Sequence, residues 1–318
     1  MKNTHLEHLE DNILNGGSEG GKEAVAFLRS LGKMLDQGGA DARVTVKWDG
    51  APAVICGTNP ENGRFFIGTK SVFNKKLIKV NYTHDDIEDN HGKGQVATIL
   101  HACLAHLPYC DEGEIYQGDF IGFGGEWEYT PNTITYHFGE EVQEQIIIAP
   151  HTAYIPDPDF DGTGNVLREC EAVPLYENLI DLDGNVRFVK PNGVIHQEDI
   201  IERVQFALQM AQMVTFEDKK EAKRLKKVFN SLIRQEIPIE SEDFENPRLV
   251  SLWLFVKGIK DELLDTASND GETPTINEDF LTGDAEGYVF HTGAGSVKLV
   301  SREEFSQKNF TMVKRWDG

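Results

Sequence analysis

Apolar positions recur near helical spacing at the start of the chain: Leu6, Leu9 and Ile13, then Val25, Phe27, Leu28, Leu31 and Leu35. This spacing predicts helices within residues 1–40, the first stopped by Gly16 and Gly17 and the second by Gly38 and Gly39. The period then shortens. VTVKWD (44–49), APAVICG (51–57) and RFFIGT (64–69) are apolar or alternating runs broken by turn residues such as Asn59-Pro60 and Asn62-Gly63. They read as strands. GQVATILHACLAHL (94–107) reads as one helix, and EIYQGDFIGF (114–123), TITYHF (133–138) and QIIIAPHTAY (145–154) as strands.

Residues 156–193 are rich in Pro, Gly, Asp and Asn and read as loop with short strands. Residues 197–236 are strongly helical, with Ile200, Ile201, Val204, Phe206, Leu208 and Met213 on an apolar face, and a further helix covers 247–265. A polar linker (267–278) leads to EGYVFHT (286–292) and GSVKLVS (295–301), a hairpin around Gly293-Ala294-Gly295. Strand runs interrupted by helices, without regular βαβ alternation, predict an α+β fold with largely antiparallel sheets.

Composition narrows the class. Hydrophobic residues make up 39% and charged residues 26% of 318, a globular balance with enough apolar material for a core. No apolar run reaches the roughly 18 residues of a membrane span, and the polar start MKNTHLEHLE is not a secretory signal. Cys56, Cys103, Cys110 and Cys170 form no CxxC pair and read as reduced thiols of a cytoplasmic protein. The net charge of −22 argues against a protein that coats nucleic acid by bulk charge, but not against an enzyme with a local basic site.

The candidate chemistry centres on Lys47-Trp48-Asp49-Gly50, between a strand carrying Val44 and Val46 and one opened by Ala51-Pro52-Ala53. A lysine held between strands suits covalent catalysis, because its amine must be fixed and deprotonated to attack phosphorus. The plain alternative is a hairpin turn, in which Asp-Gly is favoured for its backbone alone. Residues 314–318, Lys-Arg-Trp-Asp-Gly, repeat nearly the same letters with no strand after them and read as a tail. Three strands follow in order: Ile115 to Phe120, with Asp119 after Gly118; Glu286-Gly287-Tyr288-Val289; and Ser296 to Val300, with Lys298 in apolar surroundings. Singly they read as a bulge, a turn and an edge-strand gatekeeper.

In this order they resemble the covalent nucleotidyltransferase superfamily: ATP-dependent DNA ligases, RNA ligases and mRNA capping enzymes. Lys47 matches the nucleotide-accepting lysine of the KxDG motif. The strand with Asp119 matches the motif that ends in Gly-Glu, with Glu114 as the alternative match. Glu286-Gly287 matches the Glu-Gly-apolar motif, Lys298 the strand lysine, and Lys70 the basic residue that follows the first motif. THLEHLED and FHTGAGSVKLVSREEFSQKNF are also similar to ligase-like proteins of tailed phages. The departures are Asp for Glu at 119, one strand lysine where many ligases have two, and no arginine directly after the first motif. Only 18 residues follow Val300, too few for the oligonucleotide-binding barrel of DNA ligases, so the compact RNA-ligase-like branch is expected.

The resemblance implies a ligase/capping-enzyme fold of antiparallel sheets with flanking helices. An N-terminal helical segment (1–40) would precede a core in two parts, 41–196 and 271–318, split by a helical insertion (197–270). It further implies that Lys47 attacks the α-phosphate of ATP to form lysyl-AMP. Lys298 and Lys70 would contact phosphates, and Asp119 and Glu286 would bind Mg²⁺ or Mn²⁺ or the ribose. Asp49 and Gly50 would shape the nucleotide-binding turn. AMP then passes to a 5′-phosphate and a 3′-hydroxyl displaces it. The alternatives are a nucleotidyltransferase with a non-nucleic-acid acceptor, or a catalytically degraded phage interaction protein. The cytoplasm, the host's if the chain is phage-encoded, is the expected compartment. ATP versus GTP, and RNA versus DNA, stay open.

Arg64, Lys70, Lys75, Lys76 and Lys79 form the preferred phosphate surface, and the basic run 219–227 reads first as a solvated helix face. With the acids elsewhere, the charge predicts weak, salt-sensitive substrate binding at one cleft, or a protein partner that supplies basic surface. Asp157, Asp159, Asp161 and Gly162 imitate a calcium loop, but Arg168 stands where a bidentate Glu is required, so Asp-Gly turns are expected. His5 and His8 read as a surface helix, His101 and His106 as poorly spaced for a metal, and His151 as a core or pocket histidine. Gly122-Phe123-Gly124-Gly125 opens no clear helix, so it is no phosphate loop.

Overall fold

The computed structural model describes residues 6–14, 17–37, 42–110, 114–132, 134–176, 179, 183–189, 192–195, 200–269, 275–276, 287–292 and 295–302. Its strands are β1 (Ala42–Lys47), β2 (Ala53–Thr58), β3 (Phe65–Gly68), β4 (Ile115–Phe123), β5 (Glu128–Tyr129), β6 (Tyr136–His137) and β7 (Ile146–Ile155). They continue with β8 (Glu171–Pro174), β9 (Val186–Phe188), β10 (Asn192–Ile195), β11 (Ala267–Asn269), β12 (Thr275–Ile276), β13 (Gly287–Thr292) and β14 (Gly295–Leu299). The helices are α1 (Gly17–Gln37), α2 (His84–His91), α3 (Gln95–His106), α4 (Val166–Glu169), α5 (Ile200–Gln212), α6 (Lys219–Arg234) and α7 (Pro247–Thr266). The pairings of β1 with β13, β13 with β14, β10 with β11, β2 with β3 and β4, and β7 with β4 and β8 are antiparallel, and β9 joins β7 in parallel, so the α+β reading holds.

Two compact units divide the chain. One comprises Met1–Thr4, Trp48–Asn192 and Asp270–Asp284; the other comprises His5–Lys47, Gly193–Asn269 and Ala285–Gly318.

In the first unit, the sheet runs β3-β2-β4-β7-β8, and a smaller one runs β12-β6-β5. Strand alternation sends Val54, Ile67, Phe120 and Ile148 to one face, where Ile87 of α2 and Ile99, Leu100 and Cys103 of α3 cover them. Ile55, Phe66, Ile115 and Tyr154 point the other way, onto Val72, Val166 and Leu167. Burial in the first of these clusters pushes the Cys103 thiol up to about 12, so it is an inert core residue. The polar helix α2 is set by its start: Thr83 and Asp86 form a reciprocal capping box.

In the second unit, the sheet order is β11-β10-β1-β13-β14. Asn246 caps α7 and Pro247 opens it, which is why its boundary is visible in the sequence. The expected helix over 197–236 is two helices, α5 and α6, the second capped by Asp218. Ile200 and Val204 are buried as expected, whereas Phe206 is 51% and Met213 64% exposed.

The N-terminus departs most from its periodicity. Glu10–Ile13 is a single 3₁₀ turn, and Gly17 begins α1 where a stop was expected. The turn serves a buried ionic network. Lys260 Nζ donates to Glu10 Oε1 at 2.9 Å, and Arg302 Nε donates to the same oxygen at 3.1 Å. Asp11 meets Arg302 Nη2 at 2.5 Å and Lys226 Nζ at 3.2 Å. Glu10 and Lys260 are both fully buried. His8 is no surface residue either: burial, then Arg302, Lys298, Lys260 and Lys226, hold its imidazole far below the ordinary range and neutral.

Candidate functional site

Lys47 is the last residue of β1, and the chain passes from the second unit to the first between it and Trp48. On the first unit's side the segment is held firmly. Trp48 is buried against Tyr136, with ring centroids 5.1 Å apart. Asp49 N donates to the Tyr136 hydroxyl at 2.7 Å, and Asn132 Nδ2 donates to Asp49 Oδ1 at 2.8 Å. Gly50 has to be glycine: a Cβ there would lie 2.6 Å from Asp119 Cβ and 2.7 Å from the Phe120 carbonyl oxygen. Ala51 N donates to that same carbonyl at 3.0 Å, so the turn leads straight into the β2/β4 pairing. Asp49 and Gly50 thus lock the loop onto β4 beside Asp119.

On the second unit's side, antiparallel register aligns Lys47 with Gly287, Thr45 with Val289, and Arg43 with His291. Val289 in turn aligns with Lys298 and His291 with Ser296. Directly paired residues share a sheet face. Lys47 and Lys298 therefore lie on one face with Thr45, His291 and Ser296. The polar part of that face is ordered, since His291 bridges Thr45 Oγ1 at 2.9 Å and Ser296 Oγ at 2.8 Å. Gly287 is also obligatory, because a Cβ on its φ of +153° would meet the Leu299 carbonyl oxygen at 2.3 Å. β14 ends the sheet order, and His8 bridges its backbone at Lys298. Glu286 lies outside the described residues.

The first unit gathers a second polar group. Register puts Ala53, Asp119 and Ala149 in one row across β2, β4 and β7. Gln117 and Thr152 form the next row, and Ile55 faces Gly68. Lys70 follows Gly68 by two residues and so falls at the Asp119 end of this sheet, exposed to solvent. The small side chains of Ala53 and Ala149 flank Asp119 in its row. Its imidazole neighbour is His151, with Nε2 3.9 Å from Asp119 Oδ1. Gln117 Nε2 reaches the same Nε2 at 3.4 Å, and the Tyr154 hydroxyl donates to Gln117 Oε1 at 2.7 Å. The one readable signal for His151 is its place after the apolar run Ile146–Ala149; its neighbours depend on cross-strand register. Among the described residues no group of three or more His, Cys, Asp or Glu side chains is arranged to hold a metal ion. The Asp119–His151 pair supplies one oxygen and one nitrogen donor.

Other candidates resolve simply. Arg64 stacks over Tyr82 at 4.4 Å, and Lys79 Nζ donates to the Asn90 carbonyl. Lys75 and Lys76, like Lys70, are exposed. Lys226 is drawn into pairs with Glu7 and Asp11, while Lys219, Lys220, Lys223 and Lys227 face solvent. Asp157 and Asp161 accept from the backbone N–H groups of Asp159 and Thr163, as turns do. His101 meets His84, not His106, with Nδ1 atoms 2.7 Å apart. Among the described residues no helix is long and apolar enough to cross a membrane.

The profile of one family, the family of unknown function DUF6267, matches residues 3–246 and 187–314. The chain belongs to this family. Family membership covers both units, the Lys47 strand and the Lys298 strand together. No curated protein and no solved structure matches the chain.

Proposed function

We propose that this member of the DUF6267 family is an ATP-dependent polynucleotide ligase that forms lysyl-AMP at Lys47 and seals 5′-phosphate to 3′-hydroxyl ends. The observation that carries the reading is register: Lys47 stands opposite the residue that follows Glu286, and Lys298 shares its sheet face. Three motifs distant in sequence occupy neighbouring strands of one sheet. A hairpin turn alone explains Asp49-Gly50, but not this coincidence.

The step needs the Lys47 amine deprotonated. Its nitrogen lone pair attacks the α-phosphorus, a P–N bond forms, the P–O bond to pyrophosphate breaks, and pyrophosphate leaves with the electron pair. Lys298, on the same face, presents positive charge that offsets phosphate charge. The strand position of Lys47 limits the motion of its stem. Asp49 keeps the following loop in place through Asn132 and Tyr136. A bound divalent cation would screen the triphosphate. The nucleotide then moves to a 5′-phosphate, and attack by a 3′-hydroxyl releases AMP.

Incubation with α-labelled ATP and a divalent cation tests the first half, with Lys47→Ala as the control. A chase with a 5′-phosphorylated nicked duplex, or with single-stranded RNA, tests the second. Loss of label with a joined strand is expected. Label that leaves for neither acceptor excludes the polynucleotide substrate.

A further inference from the structure

We propose that the loop between β3 and α2 is a wedge for a strand break in a polynucleotide. Leu77 and Ile78 enter the opened base step while Lys75 and Lys76 hold the flanking phosphates. The choice of partner rests on the polynucleotide reading; the wedge itself rests on the loop's geometry. Ile67 and Asn81 exchange backbone hydrogen bonds of 2.9 and 3.0 Å, so residues 68–80 form a closed excursion. Its base is anchored. Val72 is fully buried, and the Phe73 ring packs on Tyr154 with centroids 4.7 Å apart. Asn165 Nδ2 donates to the carbonyl oxygens of Val72 at 2.7 Å and Asn74 at 3.1 Å.

The tip is built the opposite way. Leu77 is 85% and Ile78 43% exposed. Leu77 also stands at φ +53°, in the left-handed region that glycine or asparagine occupies with less strain. The Asn74 side-chain amide donates to the Leu77 carbonyl at 3.3 Å and holds the bend. Fold stability gains nothing from a leucine at this position, whereas contact with a partner accounts for it. Charge identifies the partner. Between Glu61 and Asp85 the chain carries Arg64, Lys70, Lys75, Lys76 and Lys79 and no acid, in a protein of net charge −22. Arg64 and Lys79 are engaged by Tyr82 and Asn90, which leaves Lys70, Lys75 and Lys76 as the loop's exposed cations. An apolar tip between lysines suits a polyanion with apolar faces between its charges, as bases between phosphates are. Placement agrees. Gly68 stands opposite Ile55, so the loop leaves β3 at the end of the sheet where β2 begins, the end of the Asp49-Gly50 turn. A strand break is also where a base step opens with least unstacking.

The test uses the full chain without ATP and a nicked duplex, in DNA and in RNA, with 2-aminopurine beside the nick. Wild type is expected to bind and to raise the 2-aminopurine fluorescence, which reports unstacking. Leu77→Gly and Leu77→Asn both suit the left-handed backbone, so they should melt no lower than wild type. Each is expected to lose the fluorescence rise and to bind roughly tenfold more weakly. Lys75→Ala with Lys76→Ala should lower the slope of log affinity against log salt by roughly two. Wild-type fluorescence and affinity in both Leu77 variants, or no binding of either duplex by wild type, overturns the wedge. Leu77-dependent binding to phosphatidylserine vesicles in place of the duplexes also overturns it, in favour of a membrane surface. If the Leu77-dependent unstacking is found but the chain never takes label from ATP, the wedge stands and the ligase chemistry falls. If label passes from Lys47 to the nick while both Leu77 variants bind like wild type, the wedge falls alone.

Discussion

Lys47 ends β1 directly opposite Gly287, and Gly287 owes its identity to the strand on its other side. The Leu299 carbonyl oxygen fills the space where a Cβ would stand. Gly287→Ala should therefore cost roughly 2–4 kcal/mol, from the positive φ and the backbone clash together. A shift in the urea midpoint at unchanged slope checks this. Wild-type stability in the alanine variant would show that the β13/β14 register is wrong.

The loop after Lys47 leans on one phenol. Tyr136→Phe keeps the ring against Trp48 but removes the acceptor of the Asp49 N–H. The expected loss is about 1–2 kcal/mol, that of a part-buried backbone donor left without its partner. Under the ligase reading nucleotide transfer slows as well. Unchanged stability and unchanged transfer together would remove Tyr136 from the account.

Glu10 is the acid on which Lys260 and Arg302 both depend. Glu10→Gln leaves two buried cations short of a carboxylate and should cost about 3–5 kcal/mol. Lys260→Met removes charge from the other side and should cost less. Equal, small effects in urea melts would mean that the network is hydrated and weak.

His8 makes stability depend on pH. Its folded-state value is depressed by burial and by four cations, while the unfolded chain protonates it near 6.5. The unfolded state therefore binds more protons below that pH. Stability is present above about pH 6.5 and falls by up to about 1.4 kcal/mol per pH unit below it. His91, also depressed by burial and by Lys79, adds a smaller contribution of the same sign because it is more exposed. Urea midpoints measured at pH values on both sides of the transition should fall less steeply in His8→Gln. Identical slopes in the two proteins would contradict the buried, neutral His8.

Much of the fold was legible where local signals and packing agree. The hairpin of β13 and β14 follows from alternation around glycine, and α7 from Asn246-Pro247. Lys47 was legible through its motif, and its pairing with β13 bears on that reading. The N-terminal turn was not legible, because Leu9 and Ile13 have helical spacing while Glu10 and Asp11 are buried by partners as distant as Arg302. α2 was missed because Ile87 is its one buried residue and its cap carries the signal. β10 and β11 are short, and they pair across α5, α6 and α7, a separation that periodicity does not report. His151 was seen but not its role in the row, since a bulge exists only between two strands.

The central claim is a covalent bond at one nitrogen. Mass spectrometry of the whole chain after incubation with ATP and Mn²⁺ or Mg²⁺, followed by peptide mapping, tests it most directly. The account predicts one AMP-sized addition, on the peptide containing Lys47, lost in acid as a phosphoramidate is and absent from Lys47→Ala. An addition on another residue, one that persists in Lys47→Ala, or none with ATP or GTP under either cation, would contradict it.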